Sequence, residues 1–176
     1  PSDWGTWIAA IGTVGALIGT IYIADTEARR RRQEELTRAK LAAARIKQKI
    51  AVAAGVTRGL HVTLKTAAEI HPPKEDFAVA AAKLRDISFW GYEDLLALAP
   101  LQNGIAFRLA QAEDEVLAVA GSLEKAVIRY ERFEPDDRRE TVLKLSEMLL
   151  LAAYRLEISW KQCKELIPED PMASED

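Results

Sequence analysis

Apolar and polar positions fall into two regimes along this chain. From Trp4 to Ala24, WGTWIAAIGTVGALIGTIYIA, 21 residues pass without a charge. From Ala39 onward, apolar residues recur instead as single stripes at alternating steps of four and three, the period of helices with one buried face. The first stripe is Ala39, Ala43, Ile46, Ile50, Ala53, Thr57, Leu60, Leu64, Ala67 and His71. Pro72-Pro73 closes it, because proline disfavours helix in the residue before it and donates no backbone hydrogen bond. Gly55 and Gly59 lie inside this helix at about 1 kcal/mol each in lost propensity, which suits a close helix crossing or a hinge.

The pattern then predicts a short helix over 74–88, with Phe77, Ala80, Ala81, Leu84 and Ile87 inward, and another over 93–98. Between them Phe89, Trp90 and Tyr92 surround Gly91, a segment that caps a bundle end or presents a partner surface. A second long helix over 102–133 buries Ile105, Leu109, Ala112, Val116, Val119, Leu123, Ala126 and Tyr130. A third, over about 138–166, buries Val142, Leu145, Leu149, Ala152, Leu156, Trp160, Cys163 and Ile167. The turn before it, Glu134-Pro135-Asp136-Asp137, offers a capping carboxylate. The acidic tail 168–176 is expected to be disordered.

Helices with one stripe each must pack on one another. The expected fold is all-α: an N-terminal single transmembrane helix continuing into an antiparallel bundle of three long helices plus short connecting helices. Four segments follow: a transmembrane anchor over 1–27, a basic stalk and first bundle helix over 28–71, the rest of the bundle over 72–167, and the tail.

The uncharged run supports the membrane assignment by length. Its 21 residues make a helix of about 31 Å, against about 30 Å of bilayer hydrocarbon. Trp4, Trp7 and Tyr22 stand where interfacial anchors belong. A cleavable signal peptide fits poorly, because Pro1-Ser2-Asp3 is acidic where a positive region is required. A buried core helix would need a domain able to surround it on all sides.

Charge fixes a direction. The net charge of −3 divides into −1 over 1–24, +7 over 25–65 and −9 over 66–176. Arg29, Arg30, Arg31 and Arg32 follow shortly after the run, and basic residues beside a span stay on the cytoplasmic side. The expected location is the inner (cell) membrane, single-pass, with the N-terminus outside and the C-terminal domain cytoplasmic. These arginines also suit anionic lipid headgroups. Within the run, Gly5, Ala9, Gly12, Ala16 and Gly19 share one helix face, and Gly15 with Gly19 adds a GxxxG, the spacing that lets spans approach closely. A homo-oligomer is expected.

Reactive chemistry is sparse. One cysteine excludes a disulfide framework and a thiolate metal cluster. His61 and His71 sit about 80° apart around a helix, so one helix cannot present both to a metal. No HExxH, ExxH or phosphate-binding glycine loop occurs. Glu113, Asp114 and Glu115 point around a helix rather than converging. Nucleic acid is disfavoured, since topology accounts for the four arginines and no stacking aromatic lies among the basic residues.

These features predict no enzyme, cofactor or metal. The expected role is a membrane-anchored scaffold or adaptor that engages the lipid bilayer, its own copies and a cytoplasmic protein partner. The alternative is a membrane-active toxin or phage-lysis-type protein whose glycine-rich span perturbs the bilayer. The layout is common among short bacterial and phage inner-membrane proteins, an analogy of architecture only.

Overall fold

In a computed structural model the chain is described over residues 3–69, 74–101, 103–132 and 134–167, with side chains from residue 19 onward. Among the described residues five α-helices occur: α1 (Asp3–Glu69), α2 (Lys74–Arg85), α3 (Tyr92–Leu98), α4 (Ile105–Arg129) and α5 (Pro135–Leu166). A 3-10 turn, Tyr130–Arg132, joins α4 to α5. No strand occurs among the described residues. The chain divides into two compact units, residues 1–38 and 39–176.

The described part of the first unit, residues 3–38, is helix alone. From Thr20 to Arg38 every described side chain is exposed except Leu36, which is half-buried. Local bonds support it: Thr26 and Thr37 hydroxyls donate to the carbonyls of Tyr22 and Gln33, at 2.8 and 2.9 Å. Among the described residues no helix is long and apolar enough to cross a membrane. The expected span, Trp4–Ala24, lies mostly outside the described side chains, which take in only Gly19 to Ala24 of it.

The second unit is a four-helix bundle in up-down-up-down order. Its architecture follows from cross-helix pairs. His61 and Arg58 on α1 meet the Ser146 carbonyl and Glu157 on α5, so the two helices run antiparallel. Arg155 and Arg108 place α5 and α4 antiparallel through Glu115 and Gln162. On the other side of α4, Phe77 packs edge-on to Tyr130 at 5.8 Å and Arg85 pairs with Glu124 at 3.0 Å. The two short helices are therefore more than connections. Together α2 and α3 fill the fourth position, antiparallel to α1, with Lys49 and Arg45 meeting Phe89 and Asp94 in turn.

The predicted stripes form the core. Every described residue of the first stripe, from Ala39 to Ala67, is buried, as are Phe77, Ala80, Ala81 and Leu84 on α2 and Ile87 just beyond it. On α4 and α5 the stripes are buried except Tyr130, Trp160 and Ile167, which are half-buried near helix ends. His71 and the tail 168–176 lie outside the described residues. Leu, Ile, Val and Phe removed from water in this way stabilise the fold by about 1.5–3 kcal/mol each.

Helix ends depart from expectation in two places. α5 begins at Pro135, three residues early, because proline is preorganised for the first helical position. Glu134 occupies the cap position, but its carboxylate makes no capping bond; its carbonyl accepts from the Arg138 amide at 3.1 Å. Before α4, Gly104 takes φ of 62°, a left-handed conformation that a side chain would strain.

Candidate interaction surface

The break between α2 and α3 shapes the surface of the bundle. Residues 86–91 leave the helical path, and α3 restarts at Tyr92 with Gly91 as its N-cap. Glycine has no side chain to cap with. Asp94, three residues on, supplies the carboxylate instead: its Oδ2 accepts the Gly91 amide at 3.1 Å, one half of a capping box. Its Oδ1 accepts from the Arg45 guanidinium on α1. Asp94 is only 7% exposed, so the pair is a genuine cross-link between α1 and the restart of the fourth helix.

Above that cross-link the shortened α2 leaves one side of α1 uncovered. A cavity of about 630 Å³ opens there, floored by Val52, Val56, Leu60 and Ile87. Gly59 and Thr63 form its α1 wall, and Lys83, Asp86 and Ser88 its opposite rim. Val52 and Val62 are more than half exposed, as is Leu41, about three turns before Val52. The Thr63 hydroxyl is satisfied by its own helix, donating to the Gly59 carbonyl at 3.0 Å. Lys49 Nζ donates to the Phe89 carbonyl at 3.3 Å.

The glycines of this wall are informative. A Cβ added at Gly55 or Gly59 would meet nothing within 4 Å. Neither has positive φ. The bundle's own packing therefore does not require glycine at either position, although each lowers helix propensity.

The aromatic segment divides. Trp90 is buried at 5% exposure and joins the core, with Phe89 half-buried and edge-on to it at 5.4 Å. Tyr92 stands out at 72% exposed. Spacing alone gave no way to separate them, because which aromatic turns inward depends on where α3 restarts.

Arg29, Arg30, Arg31 and Arg32 all face solvent on α1. Three of them pair along the helix: Arg29 with Asp25 at 2.8 Å, Arg30 with Glu34 at 3.1 Å and Arg31 with Glu27 at 4.0 Å. Such exposed pairs are weak and screened by salt. Tyr22 is 73% exposed, while the side chains of Trp4 and Trp7 lie outside the described residues. So do those of Gly5, Ala9, Gly12, Gly15 and Ala16; Gly19 is described, and a Cβ there would meet nothing within 4 Å.

Titratable groups inside the bundle have structural settings. Cys163 is buried and free; burial pushes its thiol up to about 11, against a small opposing pull from Lys47. It is protonated, hence a poor nucleophile, near neutral pH. Burial raises the Glu113 carboxyl above the usual range, and Asp114 adds to the rise. The nearby Trp90 indole opposes it, although its Nε1–H finds no acceptor in good hydrogen-bond geometry. His61 Nδ1 lies 2.8 Å from the Ser146 carbonyl, an acceptor, so Nδ1 carries the hydrogen. Among the described residues no three His, Cys, Asp or Glu converge as a metal site. The groove beside α1 is mainly apolar, with Lys83 and Asp86, of opposite charge, on its rim. Neither a family model, nor a curated protein, nor a solved structure matches the chain.

Proposed function

We propose that the protein is a non-enzymatic, single-pass membrane-anchored scaffold or adaptor. Trp4–Ala24 spans the bilayer with the N-terminus outside, and the bundle stands in the cytoplasm, where it recruits a protein partner. The span self-associates through Gly5, Ala9, Gly12, Gly15, Ala16 and Gly19. Arg29 to Arg32 hold the topology and meet lipid headgroups.

One observation carries this reading. Near its end the uncharged 21-residue run carries Ile21, Tyr22 and Ile23, which are 60%, 73% and 60% exposed, and four solvent-facing arginines begin at Arg29, shortly after it. Bare isoleucines are costly in water and favourable in hydrocarbon. The bundle meanwhile has a complete apolar core of its own.

The test is purification of the full chain from bacterial membranes in mild detergent, with chemical cross-linking and identification of what copurifies. Oligomers that Gly12→Leu with Gly19→Leu abolishes, together with a reproducible protein partner, are expected. A monomeric protein without partner contradicts the proposal. Loss of membrane potential on expression would favour the membrane-active alternative instead.

A further inference from the structure

The outer face of α5 is apolar where solvent reaches it. Leu150, Leu151 and Tyr154 are 43%, 48% and 59% exposed, and Met148 is 39%. Leu143 and Ile158, both half-buried, extend the same strip by about two turns at either end. Among the described residues no other helix gathers four exposed large apolar side chains within two turns. The core face of α5, with Leu145, Leu149 and Leu156 buried, lies on the opposite side of the helix. α5 therefore has a second apolar face that the bundle leaves bare, and bare apolar surface gathered in one strip marks a contact with another molecule.

The strip identifies its occupant, because it is complementary to itself when reversed. A two-fold axis between Leu150 and Leu151 sets each residue against the one equally far along on the other side. Leu143 then faces Ile158 of the second copy, Leu150 faces Leu151, the Glu147 carboxylate faces the Tyr154 hydroxyl, and Glu140 faces Lys161. All eight lie within about 60° of Glu147 around the helix, so they share one seam. Each contact occurs twice across the axis. Parallel packing would set Glu140, Glu147 and Lys161 each beside its own copy, like charge on like. Glu140 already pairs along the helix with Lys144, while among the described residues Glu147 and Lys161 have no ion-pair partner. Asp136 and Glu165 also face each other, but about 22 Å from the axis, where helices crossing at about 20° have diverged.

We propose that α5 pairs antiparallel with α5 of a second copy of this chain, through Leu143, Leu150, Leu151, Tyr154 and Ile158. This contact is separate from the association proposed for the span and does not depend on it.

Disulfide cross-linking of the full chain in mild detergent tests it, with thermal melting confirming that each variant folds. Cys163 is buried, so the parent chain should give no linked dimer. Leu150→Cys, beside the axis, should link to its own copy on mild oxidation. Leu143→Cys or Ile158→Cys alone should not, because about 22 Å of helix separates each from its counterpart. The two together in one chain should link, each to the other residue of the second copy. Glu140→Lys should lower the yield of linked dimer about fivefold, and Lys161→Glu added to it should restore the yield. Linkage through Leu143→Cys alone, no linkage at Leu150→Cys, or a yield that Lys161→Glu fails to restore overturns the proposal. So does loss of the linkage in a chain carrying Gly12→Leu and Gly19→Leu, which would leave self-association to the span. Linkage that persists in a chain whose span shows no association of its own supports the α5 contact and removes the span reading instead.

Discussion

Arg45 reaches from α1 to Asp94 on α3, and the same carboxylate caps α3 by accepting the Gly91 amide. One buried side chain thus fixes both where the fourth helix restarts and which helix it restarts against. The two partners are unequal, because Asp94 is nearly buried while the Arg45 side chain is 69% exposed. Asp94→Ala, which removes cap and pair together, should cost about 1–3 kcal/mol. Arg45→Ala leaves the cap intact and should cost less. Denaturant melts of the two variants decide this; equal losses would mean that the ion pair dominates.

Gly59→Ala should stabilise the isolated protein. A Cβ there meets open space, and alanine recovers about 1 kcal/mol of helix propensity. A higher midpoint in urea with an unchanged slope is the expected result. A lower midpoint would show that the bundle needs glycine for its own packing.

Glu113 gives a dependence on pH whose sign follows from its setting. Its folded-state carboxyl titrates above the unfolded one, chiefly through burial. The folded state therefore holds that proton more tightly, and this contribution to stability is lost as pH rises from the ordinary carboxyl range through the raised value. Glu113→Gln cannot ionise, so it should melt higher than the parent at neutral pH. The difference should shrink as pH falls through the acid range. Parallel melting curves at every pH would contradict this.

Cys163 should be silent in the native state. With its thiol raised to about 11 and the side chain buried, a thiol reagent at neutral pH should label it only as fast as the bundle opens. Labelling should accelerate across the denaturant transition. Rapid modification without denaturant would place the sulfur at the surface.

Much of the bundle is legible in the sequence, since a stripe such as Ile46, Ile50, Ala53 and Thr57 states which face is buried without reference to any partner. Periodicity does not state what packs where. That Phe77 meets Tyr130, or that α2 and α3 act as one broken helix, depends on pairings distant in sequence. Trp90 and Tyr92 look equivalent by composition, yet the restart of α3 at Gly91 buries the first and exposes the second. The groove was the least visible feature. Gly55 and Gly59 marked a close crossing or a hinge; the open space around them shows that the bundle makes no close crossing there. The left-handed Gly104 carries no signal beyond being glycine.

Alkaline carbonate extraction of bacterial membranes carrying the full chain tests membrane anchoring most directly. High pH strips proteins held by charge, including any bound only through Arg29 to Arg32, whereas a helix spanning the hydrocarbon stays with the lipid. Retention of the chain in the membrane pellet is the predicted result. Its quantitative release into the supernatant would contradict the account.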